Sequence, residues 1–430
     1  MKPITFCIAS AKNEKEYTKL LLKSLKDHTQ LNKHEILIFI DSDNQNTYEE
    51  LVSMQKDLPN MKIYRNTSGF PIGSQRNVTL MFNAASNDIV CYLQSDMVVG
   101  KDFDKHINNS IDENTVLSCA RIEPPLHPAS PEKIVKDFGI TPETFDYDAF
   151  NKFVDELQAE GRPNMDGHFA PFAVYKSAWI DKLGGFDTQF RCSREDSDTM
   201  IRMELCGLAK IQSWNACVYH FTCVSSRGND WYAQTKEANY KNALQAQADG
   251  QELKRFIRKW GFFGHHPKPV YDITFDIKLD QYANFDLLKA IEPYCTRMYV
   301  SNEKVAKQLV SQLEFEAHYY SNLRWNYSDE HWERVKYSFN PTDFNKRIRY
   351  SETKIGDVII EMKHSDLIKQ WNDVRGFVEN IHQIIDSNEE GSYEGDFCVM
   401  HINKKNNLMN TYTKHEDIEL LLNEQTFEFK

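Results

Sequence analysis

Ile89-Val90-Cys91-Tyr92-Leu93-Gln94-Ser95-Asp96 is a short apolar run that ends in an amide, a hydroxyl and an acid. The run reads as a buried strand, and its last polar residues as the start of a loop at the strand's carboxyl end. The same change of character recurs upstream. Ile4 to Ala9 is followed by Ser10 and Asn13, and Glu35 to Ile40 by Asp41 and Asp43. Helix-like segments at Glu14 to Lys26, Thr47 to Lys56 and Ser74 to Ala85 alternate with these runs, and Met61 to Tyr64 adds another strand. This rhythm predicts an α/β fold with a Rossmann-like, mostly parallel sheet and helices on both faces. Ligands on such sheets collect at the carboxyl ends of the strands, where these polar residues fall. Turn preference alone explains any one of them; three strand ends together point to a site.

Downstream, a strand is expected at Val116 to Ala120. A proline-rich excursion, Glu123-Pro124-Pro125-Leu126-His127-Pro128, then leads through loop and helix to about Asn164. Insertions of that length in a compact domain are commonly binding loops. Apolar sequence resumes at Phe169 to Val174. Lys176 to Leu183 reads as a helix stopped by Gly184-Gly185, and Glu195 to Cys206 as a helix ended by Gly207. Trp231 to Trp260 is a long helical stretch, and Gly261-Phe262-Phe263-Gly264-His265-His266-Pro267-Lys268-Pro269 reads as a linker. The expected division is therefore a first domain over 1–264 and a smaller C-terminal α/β domain over 265–430. In the second, strand and helix alternate at Val270 to Ile277, Asn284 to Ile291, Arg297 to Val300 and Glu303 to Leu313. Asp357 to Met362, a helix from Asp366 to Ile385 and a strand from Asp396 to Ile402 follow. This part carries no chemical motif; acceptor binding, self-association as a homo-oligomer and support of the first domain all stay open for it.

A chain of 430 residues is long enough for two units with cores of their own. Apolar residues at 41% and charged residues at 27% give an ordinary globular balance. The formal net charge of -12 argues against nucleic acid as the main partner. The nine cysteines are odd in number and form no CxxC pair, which suits reduced thiols in a cytoplasmic protein. The first apolar stretch is too short for a signal peptide, and no run approaches the roughly 18 apolar residues of a spanning helix. A cytoplasmic protein without a transmembrane segment is expected.

Asp96 has the chemistry to hold a hard cation such as Mn²⁺ or Mg²⁺, which prefers oxygen donors and also takes substrate phosphates. A turn or helix-capping aspartate before a helix near Asp102 is the alternative. The segments Ile4 to Asn13, Glu35 to Asp43, Gly73-Ser74-Gln75-Arg76-Asn77, Leu93-Gln94-Ser95-Asp96, Leu183-Gly184-Gly185-Phe186-Asp187 and Glu195-Asp196 with Arg202 and Gly207 resemble family 2 glycosyltransferases of the GT-A fold. The likeness covers about residues 1 to 225 and rests on the ordered set.

The resemblance implies a nucleotide-diphosphate sugar donor, a UDP-sugar being favoured, a carbohydrate or other hydroxyl acceptor, and transfer with inversion. It places the nucleoside against Ala9, Ser10 and Asp41, with Asp43 a close competitor. Arg76 matches a position facing the nucleotide side of the cleft; a surface helix residue is the equal alternative. The Asp-any-Asp motif is matched by Gln94-Ser95-Asp96, so Asp96 is the metal carboxylate and Gln94 at best a ribose contact, since an amide adds no charge. Asp196 aligns with the catalytic base, Glu195 beside it. A sugar hydroxyl needs such a base as its bond forms, and a helix N-terminus favours the ionised carboxylate; simple helix capping is the competing account. His220 falls where the family places a third metal or diphosphate contact, and Arg227, in Ser225-Ser226-Arg227-Gly228, is a candidate cationic contact in a closing loop. Cys206, Cys217 and Cys223 fit no usual zinc spacing.

Two rivals are weighed against this reading. A nucleotidyltransferase needs a glycine-rich basic loop after the first strand, and Ser10-Ala11-Lys12-Asn13-Glu14 lacks the glycines. A catalytically impaired carbohydrate-binding or scaffold protein is kept open by Gln94 and by the 12% aromatic content.

Overall fold

The computed structural model describes residues 1–41, 43–67, 73–167, 171–187, 190, 194–222, 224, 250, 252–261, 271–323, 343–350, 353–403 and 427–429. The chain divides into two compact units. The first comprises Met1–Arg191, Arg202–Lys241 and Lys414–Lys430, the second Cys192–Ile201 and Asn242–Thr413. Against the boundary expected at 264/265, residues 192–201 and 242–264 group with the second unit and 414–430 with the first.

In the first unit the elements run β1 (Ile4–Ser10), α1 (Lys15–His28), β2 (Glu35–Ile40), α2 (Thr47–Met54), β3 (Met61–Asn66), α3 (Ser74–Ala84), β4 (Ile89–Gln94) and β5 (Met97–Val99). They continue with α4 (Phe103–Ser110), β6 (Thr115–Glu123), β7 (Lys133–Val135), α5 (Tyr147–Ala159), β8 (Met165–Asp166), β9 (Phe172–Tyr175), α6 (Glu195–Leu205), whose residues up to Ile201 group with the second unit, and β10 (Ala209–His220). β2 is buried along its whole length and β1 nearly so, as expected where both faces of a sheet are covered. On α1 the buried residues Thr18, Leu21, Leu22 and Leu25 share one stripe.

β3, β2, β1 and β4 are neighbours in that order and parallel throughout. This is the expected alternating α/β core. Past β4 the sheet becomes mixed. β9 runs antiparallel to both β4 and β6, β6 and β10 are parallel, and β5 closes that edge antiparallel to β10. At the opposite edge a strand over Phe427–Phe429 pairs antiparallel with β3.

The second unit holds a six-stranded sheet. Its strands Ile273–Lys278, Arg297–Val300, Ile348–Arg349 and Val358–Lys363 are parallel, and Cys398–Ile402 and Gly391–Glu394 are antiparallel additions. Ile273, Phe275, Ile277, Met298, Ile360 and Leu309 lie in its apolar core. The single helix expected from Asp366 to Ile385 is instead three: His364–Lys369, Trp371–Glu379 and Ile381–Asp386. Of the stretch Trp231 to Trp260, residues 252–260 are helical, and the rest lies largely outside the described residues, as does nearly all of the expected linker. Glu292, fully buried, takes charged hydrogen bonds from Arg258 and Arg347. Burial pushes its carboxyl up, but the two guanidinium groups outweigh that and hold it at about 2.

Candidate active site

Three strand ends meet around β1 and β4. Ala9 pairs with Gln94 in the parallel ladder, and the Ser95 amide donates to the Ala9 carbonyl at 3.3 Å. The turn after β4 therefore sits beside the turn after β1. Glu14, which no motif singled out, fastens the two. Its buried Oε2 accepts from the Ala11 amide at 2.7 Å and from the Ser95 hydroxyl at 2.6 Å. Ser10 is buried too, its hydroxyl 3.1 Å from that of Thr18 on α1. Asn13, at φ 62°, and Asn44 exchange two hydrogen bonds of 2.7 and 3.0 Å, tying the loop after β1 to the loop after β2.

Asp41 and Asp43 have different surroundings. The Asp41 carboxylate, almost fully buried, accepts from the Asn66 amide at 2.8 Å and from the Gly73 backbone N–H at 2.9 Å. It thereby holds the start of α3, the helix that carries the buried Arg76. Gly73 sits at φ 93°, a conformation natural only to glycine. The Asp43 carboxylate accepts three backbone amides, those of Gln45, Thr47 and Tyr48, each at 3.0 Å. Burial raises its pKa, but these donors at the head of α2 overcome that and leave it lowered. Capping is what the geometry shows for Asp43.

The order of strands explains the next group. β10 lies between β6 and β5, with Tyr219 opposite Ile122 on one side and His220 opposite Met97 on the other. His220 is thereby flanked by Glu123, the last residue of β6, and Asp96, which immediately precedes β5. Its Nδ1 is 3.0 Å from Glu123 Oε1, and its Nε2 is 3.6 Å from Asp96 Oδ2. The Phe221 amide also donates to the Asp96 carbonyl at 3.0 Å. Glu123 is only 3% exposed. Lys133 donates to its Oε2 at 2.7 Å, and Arg121 lies 3.4 Å from its Oε1. Burial alone raises this carboxyl; the hydrogen bonds from His220 and Lys133 and the charge of Arg121 prevail and hold it at about 2. An ionised carboxylate only accepts, so the Nδ1–H of His220 donates.

The carboxylate oxygen of Asp96 is a donor that suits Mn²⁺ or Mg²⁺, and the imidazole nitrogen of His220 is a donor more usual for softer divalent ions. Among the described residues no group of three or more His, Cys, Asp or Glu side chains could hold a metal ion. Asp96 and His220 by themselves would leave most of the coordination positions of a hard cation to other oxygen donors.

Glu195 and Asp196 open α6, Asp196 exposed, within the Cys192–Ile201 segment that groups with the second unit. Asp198, one turn on and fully buried, accepts from Trp260 Nε1 at 2.8 Å and pairs with Lys259 at 2.6 Å. Further along, the fully buried Arg202 donates to the carbonyls of Leu183 and Gly185 at 3.2 and 2.5 Å. It pins the turn whose two glycines lie at φ 77° and 81°. Arg227 lies outside the described residues.

Residues 7–183 match the model of glycosyl transferase family 2. That part of the chain is similar to the family, and the expected architecture, a mostly parallel α/β sheet and a second α/β unit, is present. Ala9, Ser10, Asp41, Asp43, Arg76, Gln94, Ser95 and Asp96 fall inside the matched range, whereas Glu195, Asp196, His220 and Arg227 fall beyond it. Solved structures with some likeness include S. aureus TarS 1-349 in complex with UDP, 14% identical with a TM-score of 0.41, covering 94% of this chain and 98% of that one. A mannosyltransferase from Pyrobaculum calidifontis in complex with GDP-Man and Mn²⁺ is 15% identical with a TM-score of 0.38, over 59% and 64% of the two chains. GalNAc-T7 with UDP, GalNAc and Mn²⁺ is 14% identical with a TM-score of 0.37, covering 51% of this chain and 44% of that one. No curated protein matches the chain by sequence. Among the described residues no helix is long and apolar enough to cross a membrane.

Proposed function

We propose that the protein moves a sugar from a nucleotide-diphosphate donor, a UDP-sugar being favoured, to an acceptor hydroxyl with inversion and with the help of a divalent cation. The facing pair Asp96 Oδ2 and His220 Nε2, 3.6 Å apart beside the end of β4, carries this reading. The two residues would hold Mn²⁺ or Mg²⁺, which when bound supplies positive charge against the diphosphate. The nucleoside would lie along the ends of β1 and β2, against Ala9, Ser10 and Asp41. Arg76, Gln94 and Ser95 are assigned to the donor as well, and Arg227 to its diphosphate. Asp43 is the less suited competitor because its oxygens are engaged by backbone amides.

Asp196, with Glu195 beside it, is assigned the proton of the acceptor hydroxyl. The acceptor oxygen forms its bond to the anomeric carbon as the bond from that carbon to the diphosphate oxygen breaks. The proton goes to the Asp196 carboxylate, and the nucleoside diphosphate leaves with the bonding pair. A single displacement inverts the anomeric centre. First-turn placement on α6 suits the ionised, proton-accepting form of Asp196.

The test is a hydrolysis panel of UDP-, GDP- and dTDP-sugars with and without Mn²⁺, on the wild type, Asp96→Ala and Asp196→Asn. Asp96→Ala is expected to lose cation-dependent turnover. Asp196→Asn should lose turnover by a factor of about 10² or more, in keeping with removal of a general base, while still binding the donor. Hydrolysis of no donor under any condition, with no donor binding, would favour the carbohydrate-binding alternative.

A further inference from the structure

Glu123 has no place in the motifs, yet it is the most completely engaged carboxylate next to the Asp96–His220 pair. Its two oxygens divide the work: Oε1 meets His220 Nδ1 at 3.0 Å, and Oε2 takes the Lys133 ammonium at 2.7 Å. Arg121 stands 3.4 Å from Oε1, and Arg121 in turn lies 3.9 Å from Glu132. The residue is held from neighbouring strands: Glu123 ends β6, Lys133 begins β7 in register with Arg121, and His220 ends β10. The carboxylate therefore has little freedom to leave the imidazole.

From this geometry we infer that Glu123 is a positioning residue that keeps the proton of His220 on Nδ1 and so leaves the Nε2 lone pair directed at Asp96. The inference rests on the reading of Asp96 and His220 as cation ligands. A histidine can ligate through Nε2 only if that nitrogen is bare, and a carboxylate on the opposite ring nitrogen fixes both the tautomer and the ring plane. Lys133 and Arg121 balance the charge of Glu123, so that it can face an imidazole inside the protein without a further counter-ion.

The isosteric variant Glu123→Gln separates this role from a merely structural one. Its amide oxygen would accept from Lys133, and its NH₂ would then face Nδ1. A nitrogen facing a donor must accept, so the His220 proton moves to Nε2, toward Asp96. Long-range ¹H–¹⁵N spectra of ¹⁵N-histidine-labelled protein, with His220→Ala to assign the signal, report the tautomer in the absence of metal. The wild type is expected to show the Nδ1–H form and Glu123→Gln the Nε2–H form, at unchanged far-UV circular dichroism. Mn²⁺ titrated into the protein with saturating UDP should bind about 10–100-fold more weakly in Glu123→Gln. An Nε2–H form in the wild type, which needs no variant to fold, overturns the inference. So does a Glu123→Gln protein that binds Mn²⁺ as the wild type does while His220→Ala does not. If Asp96→Ala and His220→Ala both leave Mn²⁺ binding intact, the cation reading itself fails, a result distinct from either.

Discussion

Glu14 illustrates how much one side chain can decide at this site. A single buried carboxylate oxygen accepts both the Ala11 amide and the Ser95 hydroxyl, so the loop after β1 and the turn before Asp96 are fixed to one atom. Glu14→Ala strands a half-buried N–H and a buried hydroxyl, and a fully buried group of this kind costs about 1–3 kcal/mol. A loss of stability on the order of 2–4 kcal/mol in urea unfolding is the expected outcome, with Glu14→Gln losing less because its amide oxygen still accepts. Equal stability of Glu14→Ala and wild type would show that the turn holds without it. In the sequence Glu14 is one more acid at a helix start, and only the approach of Ser95 across the sheet gives it meaning. Asp96 was legible because it follows an apolar run, and His220 because a family pattern pointed to it. Glu123 was not, since the following prolines made it read as the start of a loop, whereas β6 runs through to it.

At the scale of elements, the alternation of β1 to β4 with α1 to α3 was readable from the apolar pattern, because β1, β2 and β4 are buried on nearly their whole length and α1 shows one apolar stripe. The placing of His220 was not readable. β10 follows β6 in register up to Ser213 opposite Cys119, and resumes only with Cys217 opposite Ala120. This bulge shifts the strand by an odd number of residues, which exchanges the faces to which its side chains point. It also brings His220 level with the end of β6. Ser213 and Asn215 are turn formers, but the segment Ser213-Trp214-Asn215-Ala216 has no glycine or proline to announce a break of that size. The single helix expected from Asp366 to Ile385 fails for a related reason. The chain leaves helical geometry at Gln370, with φ -118° and ψ 33°, and at Asn380, with φ -115° and ψ 14°, and neither is a proline or glycine. The Gly184-Gly185 stop, by contrast, lies where glycines predicted it, with Arg202 satisfying two carbonyls of the turn.

For the whole molecule, each unit contains, among the described residues, one buried glutamate held at about 2 by cationic neighbours, Glu123 in the first and Glu292 in the second. Both carboxyls lie below their ordinary value of 4.5. Their contribution is therefore fully present above that pH and is lost as the pH falls from 4.5 toward 2. Each contributes at most on the order of 3 kcal/mol. Thermal melts should thus show little change from these groups between neutral pH and about pH 5, and a falling Tm below about pH 4.5. Glu292→Gln should start lower and fall less steeply, and a wild-type Tm that stays level down to pH 3 would contradict the assignment. The strand Phe427–Phe429 on the edge of β3 was not foreseen, because a three-residue strand leaves no periodic signal and its partner lies far away in the chain.

Asp96, with His220, is proposed to hold a cation against a nucleotide diphosphate at the end of β4. Calorimetric titration of UDP into the wild type and Asp96→Ala, each with Mn²⁺ and with chelator, addresses it most directly. Wild-type binding in Mn²⁺ should weaken at least about tenfold on chelation, as expected when a charged ligand loses a strong counter-charge, and Asp96→Ala should bind weakly in both. UDP affinity that is the same with and without Mn²⁺, and unchanged by Asp96→Ala, would contradict it.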